Sequence, residues 1–150
     1  MSLSAGSGQA GEAGPASLDE ARSELKSRCD VIESAYEFLL AYAAQGLTSD
    51  QSNSQVREFL GKCDRALANL SAFLTRFVSQ LNVDPAPYSA FITVLDRDAR
   101  DARAAVQLVL AQPSISSLLV DNLNASIHLR ALLTDLFLID EVLKTHARRT

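Results

Sequence analysis

Apolar residues recur along most of this chain in steps of three and four, the spacing that places side chains on one face of an α-helix. The pattern occupies four segments, which polar or proline-containing stretches separate. No run of alternating apolar and polar residues competes with it. We therefore expect an all-α protein built from four amphipathic helices.

The first segment has a well-marked start and end. Ser17 can accept a backbone hydrogen bond at the helix N-terminus, and Glu20 follows three residues later, as in a capping box. Gly46 supplies the residue type that most readily adopts the left-handed conformation found after helix ends. The pattern predicts a first helix over about residues 18–45.

The second segment carries the most regular repeat of the chain, with apolar residues in unbroken steps of four and three from Val56 to Leu81. We expect one uninterrupted helix over about residues 54–81. Pro85 and Pro87 cannot continue it, because each ring removes a backbone N–H and restricts the preceding residue. The chain should turn there.

The last two segments predict a third helix over about residues 87–111 and a fourth over about 115–146, with Pro113 between them. Short connections favour antiparallel sequence neighbours, so residues 17–148 should close into an up-down-up-down antiparallel four-helix bundle. The Gly- and Ser-rich residues 1–16 lack the basic start and the apolar run of a secretory signal, and we expect a disordered tail there.

Charge and run length argue against two classes of partner. The 18 acidic and 14 basic residues give a net charge of −4 and are spread along the chain, so no broad positive field exists to hold nucleic acid. The most apolar run, residues 131–138, contains Asp135 and is far shorter than the ~20 residues of a membrane span. Cys29 and Cys63 fall on apolar helix positions, which favours buried thiols in a reducing compartment. The expected location is the cytoplasm.

Candidate chemistry is sparse. A carboxylate-bridged metal site in a helical bundle needs Glu-x-x-His pairs on two helices, and this chain has 2 histidines and neither pair. It also has no Gly-rich phosphate loop and no Gly-x-Ser-x-Gly nucleophile motif. We therefore predict no metal, no cofactor and no enzymatic activity.

The apolar surface of helices two and four exceeds what the core of a monomeric bundle requires. We expect the protein to act through protein–protein contacts, in an adaptor, assembly or structural role, as a homodimer and/or with another protein. The candidate contact residues are Phe59, Phe73, Leu123, Ile127 and Phe137.

Asn122 interrupts the otherwise apolar seam of the fourth helix. A buried amide is costly unless it is paired, and such residues often set register or oligomeric state by bonding across the core. We expect that role for Asn122.

Two alternative functions stay open. The first is a small-molecule-binding or sensory bundle, with the ligand between helices near the alanines of helix three and the tyrosines. The second is a phosphotransfer protein centred on His128, although the residues after it lack the glycine typical of such modules. Antiparallel packing would place His128 near the level of Glu33 and Glu37, which would raise its pKa.

Overall fold

The computed structural model describes residues 17–51 and 55–149, and over these residues the protein is helical without strands. The prediction of an all-α protein is confirmed. The described helices are α1 (Leu18–Ala43), α2 (Gln55–Leu67), α3 (Leu70–Ser79), α4 (Pro85–Leu110), α5 (Ser117–Ala125) and α6 (His128–Arg149). The tail predicted for residues 1–16 lies outside the described residues.

The first and third predicted helices are single helices in the structure. Ser17 Oγ accepts a hydrogen bond from the Glu20 N–H at 3.1 Å, which confirms the predicted cap of α1. Helix α4 begins at Pro85, slightly earlier than predicted, with Asp84 accepting from the Ala86 N–H at 3.1 Å. Proline suits this position because a helix leaves the N–H groups of its first turn without internal partners.

The second predicted helix, over residues 54–81, is wrong as one helix, because the chain breaks between α2 and α3. Asn69 there has a φ of 58°, in the left-handed region that Asn tolerates better than most residues. The break frees carbonyl groups at the end of α2. Arg28 of α1 donates to two of them, Ala66 O at 3.0 Å and Ala68 O at 2.8 Å. A side chain from another helix therefore stabilises this break.

The fourth predicted helix, over residues 115–146, also consists of two helices. Ile127, at the junction of α5 and α6, has a φ of 63°. A β-branched residue in this region is strained, by about 1–2 kcal/mol for an ordinary L-residue. Ser126 Oγ donates to Leu123 O at 2.6 Å, and the Ser126 N–H donates to the same carbonyl at 3.2 Å, so both bonds close the end of α5. Over residues 17–51 and 55–149, six helices therefore stand where the apolar pattern predicted four.

A single hydrophobic core joins the helices. Helix α1 packs against α2, α5 and α6, while α4 packs against α2, α3, α5 and α6. The largest fully buried side chains come from every helix except α5, with one from the loop before α5. They are Tyr42, Phe73, Phe77, Leu25, Ile32, Leu39, Leu60, Leu70, Leu74, Leu95, Ile115 and Leu132.

A buried aspartate ties two loops together at one end of the core. Asp50 accepts from Arg57 Nε at 2.6 Å with one oxygen and from the Ile115 N–H at 2.8 Å with the other. Arg57 also donates to Leu110 O at 3.1 Å and Gln112 O at 2.8 Å, the carbonyl end of α4. The Arg57 guanidinium, more than the Ile115 N–H, lowers the pKa of Asp50 below its ordinary value.

Tyr42 and Ser117 complete this polar clamp, which we define as Tyr42, Asp50, Arg57 and Ser117. The Tyr42 hydroxyl donates to Ile115 O at 2.7 Å, and Ser117 Oγ donates to Tyr42 O at 2.6 Å. Both residues are buried. The clamp therefore joins the end of α1, the start of α2, the end of α4 and the start of α5.

The left-handed conformation of Ile127 predicts an unusual order of stability for two substitutions. Ile127→Gly should be more stable than Ile127→Ala by about 1 kcal/mol, because glycine adopts positive φ without a Cβ clash. In an unbroken helix the order is reversed, since alanine is favoured over glycine by about 1 kcal/mol. Urea unfolding of both variants measures the difference. A more stable alanine variant would contradict the break between α5 and α6.

Loss of the Asp50 carboxylate should destabilise the protein, because two hydrogen-bond donors lose their acceptor. Asp50→Ala should lower the free energy of unfolding by about 2–3 kcal/mol, because the buried Ile115 N–H and the Arg57 guanidinium lose an acceptor. Glu58→Ala, which removes an exposed ion pair with Lys62, should cost less than about 1 kcal/mol. Chemical denaturation of both variants tests this, and equal losses would contradict it.

The Asp50 contribution has a defined pH dependence. Its lowered pKa makes the contribution fully present above the ordinary aspartate value of 3.8 and lost as the pH falls through the folded-state value. The difference between wild type and Asp50→Ala should therefore shrink only in acid.

Candidate functional site

The structure separates the predicted contact residues into buried and exposed ones. Phe73 and Leu123 are 0% and 6% exposed, so the prediction that they form a contact surface is wrong. Ile127 and Phe137 are 52% and 48% exposed and remain available. Phe73 is buried beside Leu70, Leu74 and Phe77, because the buried face of α3 is wider than the predicted seam. The change of helix phase at Ile127 turns Leu123 of α5 inward.

Phe59 has partners within its own chain. Its ring is half-buried and stacks on Phe38 of α1, with ring centroids 4.4 Å apart and planes 13° from parallel. The Lys62 ammonium lies 5.8 Å from the centre of the same ring. Phe59 therefore contributes to the packing of α2 on α1 and offers little free apolar surface.

Asn122 is exposed, so its predicted role as a buried register residue is wrong. The break at Ile127 changes the phase of the helix, and α5 turns Val120 and Leu123 inward while Leu118 is 69% exposed. The half-buried amide in this region is Asn124, which donates to Leu39 O at 3.3 Å.

An apolar groove runs between α4 and α6 and is the strongest candidate for a contact surface. It has a volume of about 370 Å³, and all of its lining side chains are aliphatic or aromatic. They are Pro87, Tyr88, Phe91, Leu138, Ile139 and Val142. Leu138 is 55% exposed, although most leucines of this protein lie in the core. The sequence analysis missed this α4–α6 groove, because Leu138 belongs to no regular seam.

Polar pairs between the same two helices flank the α4–α6 groove. Tyr88 Oη and His146 Nε2 are 2.8 Å apart at one end. Asp98 and Asp135 face each other beyond the other end, about two turns from Phe91 along α4. The groove is therefore the apolar part of a contact between helices that is polar at both ends.

Asp135 is the most perturbed carboxyl group of the described residues. Its Oδ2 atom is buried and receives no hydrogen bond from the described part of the chain. Burial, followed by the neighbouring Asp98, raises the pKa of Asp135 to about 7. Two carboxyl groups so placed resist ionising together.

The other candidate residues do not assemble into a reactive site. His128 begins α6 and is half-buried, and no ion pair joins it to Glu33 or Glu37 in the described part of the chain. Phe137 of α6 and Glu33 of α1 line one cavity. Asn124, four residues before His128, donates to Leu39 O at 3.3 Å, so α6 begins near the part of α1 that carries Glu37.

The tyrosines, thiols and metal-binding side chains are also dispersed. Tyr42 lies in the polar clamp and Tyr88 in the α4–α6 groove. Cys29 and Cys63 are buried free thiols, as predicted, and burial raises their pKa to about 11 and about 12. Over residues 17–51 and 55–149 no group of three or more His, Cys, Asp or Glu could hold a metal ion.

Comparison of the chain with protein-family models, curated proteins and solved structures finds no match. None of the helices in the described residues is long and apolar enough to cross a membrane.

The raised pKa of Asp135 predicts a pH-dependent stability. Because the pKa of Asp135 is raised to about 7 from 3.8, the folded protein loses stability as the pH rises through this interval. Asp135→Asn removes that loss, so its gain in melting temperature over wild type should be larger at about pH 8 than at about pH 5. Thermal melts followed by circular dichroism measure the gain.

Asp101→Asn removes an exposed carboxylate of the same helix as Asp98 and serves as the control. It should show no comparable pH-dependent gain. An equal gain for Asp135→Asn at both pH values would mean that Asp135 ionises normally.

Proposed function

We propose that this protein acts through protein–protein contact and catalyses no reaction, and that the α4–α6 groove is its contact surface. The observation that supports this most is that part of the groove's apolar lining lies in solvent. Leu138 and Val142 are 55% and 37% exposed, and Val94 of the facing helix is 49% exposed. Contiguous apolar surface on a folded protein marks an interaction site more often than isolated apolar residues do.

A second copy of the chain is the occupant that we propose, which makes the protein a homodimer. Leu138 and Val142 stand four residues apart and form a ridge on α6, while Tyr88 and Phe91 of α4 form the opposite wall of the groove. Ridge and groove thus lie on the same face. In a two-fold dimer each ridge enters the partner's groove, because a face that holds both elements is complementary to itself.

We also propose that the six described helices act as four rods, α1, α2 with α3, α4, and α5 with α6, in the up-down-up-down order of a four-helix bundle. The pairing of α1 with α2, α5 and α6, and of α4 with α2, α3 and α6, supports this arrangement. The two buried free thiols support a reducing compartment such as the cytoplasm.

The oligomeric state tests the proposal. The wild-type protein should have twice the chain mass of 16.2 kDa in size-exclusion chromatography with light scattering. Leu138→Glu should give a folded monomer, because a dimer of this variant would bury an unpaired carboxylate of each copy in the partner's groove. Leu138 is already half exposed, so the substitution should leave the core intact, and circular dichroism checks the fold.

Leu118→Glu is the matched control, since Leu118 is 69% exposed on α5 and lies outside the groove. It should remain dimeric. A monomeric wild-type protein, or a Leu138→Glu variant that stays dimeric, would contradict the homodimer. Dissociation by both variants alike would place the interface elsewhere.

A further inference from the structure

A second cavity lies between α1 and α6, on a different side of α6 from the α4–α6 groove. Its volume is about 500 Å³, within the range of small-molecule sites. Its apolar wall is formed by the buried side chains of Leu25, Cys29, Phe77 and Leu143, and the half-exposed Phe137 lies at its edge. This α1–α6 cavity therefore offers an apolar ligand a preformed surface.

Most charges around the α1–α6 cavity are neutralised within the protein. Lys26 pairs with Asp30 at 3.0 Å, and Lys144 pairs with Asp140 at 3.2 Å. Both pairs join residues four apart on one helix, so they are local and do not cross the cavity.

Arg22 differs from these cations. Its Nε and Nη2 atoms are buried, and neither has a hydrogen-bond partner in the described part of the chain. Buried donors without acceptors are rare in folded proteins, because each has lost its water without replacing it. Nε and Nη2 form one edge of the guanidinium, the edge that binds both oxygens of a carboxylate side by side.

The same edge of another arginine in this protein holds a carboxylate. Arg28 binds Glu24 Oε2 through Nε at 2.9 Å and through Nη2 at 2.8 Å. Arg22, six residues earlier on α1, lines the α1–α6 cavity, and these two donors have no such acceptor. The comparison indicates that the group Arg22 lacks is a carboxylate.

We propose that the α1–α6 cavity binds a small molecule with an apolar body and one carboxylate, and that the carboxylate pairs with the Arg22 guanidinium. The apolar body would run along α1 past Cys29, which stands two turns or about 10 Å from Arg22. Glu33, about 16 Å from Arg22 along the helix, lines the far end of the cavity and does not oppose the carboxylate.

The rim favours a monoanion over a phosphate. Asp30, Glu33 and Asp140 all line the α1–α6 cavity, and their charges would repel a dianion more than a single carboxylate. The site is separate from the proposed dimer surface, because Arg22 and Cys29 belong to α1 and take no part in the α4–α6 groove. The two proposals can therefore fail independently.

Phenylbutyrate is a suitable probe, with phenylbutanol as its uncharged match. In a nitrogen–proton correlation spectrum of the full chain, phenylbutyrate should shift the Arg22 Nε–H signal and the backbone amides of Leu25 and Cys29 in a saturable manner. Phenylbutanol should bind at least about tenfold more weakly, because it cannot form the charged pair.

Variants of Arg22 then test whether this residue binds the carboxylate. Arg22→Gln should weaken phenylbutyrate binding about tenfold or more, and Arg22→Lys should fall between, since it keeps the charge without the paired donors. Arg97→Gln removes the same charge from the exposed face of α4 and should bind like wild type. Without ligand, Arg22→Gln should melt at or above the wild-type temperature, because a buried unpaired charge has been removed.

Several results would overturn the proposal. They are the absence of saturable shifts with phenylbutyrate, shifts confined to residues away from the α1–α6 cavity, equal binding of the alcohol and the acid, and unchanged affinity in Arg22→Gln.

Discussion

Every internal helix end of this protein leaves backbone groups that need hydrogen-bond partners, and two arginines provide many of them. Arg28 donates to carbonyls at the end of α2, and Arg57 donates to carbonyls at the end of α4. Without such partners, buried carbonyls would cost more than the apolar contacts near them could recover. The break between α2 and α3 therefore depends on where the Arg28 guanidinium reaches.

The same need for hydrogen-bond partners distinguishes arginines that are paired within the protein from an arginine that is not. Arg28, Arg57 and Arg103 each have a carboxylate partner, on Glu24, Asp50 and Asp64 respectively. These arginines are part of the packing between elements. Arg22 keeps two buried donors unused beside a cavity, which is why it carries the inference of a ligand site. Its residue type alone does not distinguish it from the others.

Helix α6 carries both candidate surfaces because it contacts two helices and still leaves apolar side chains in solvent. Phe137 lines the α1–α6 cavity, and the next residue, Leu138, lines the α4–α6 groove. Neighbouring residues on a helix point about 100° apart, so one helix can serve two separate sites. The apolar excess of this segment is visible in the sequence. Its division between two surfaces follows from the positions of α1 and α4.

The sequence by itself determined the features that depend on neighbouring residues. These are the all-helical class, the Ser17 cap, and the buried seam of α6 from Leu129 to Leu143. Only the tertiary structure decided the two breaks and the exposure of Asn122. A local repeat specifies which face of a helix is apolar. It does not specify when a distant side chain, such as Arg28, makes it favourable for the helix to stop.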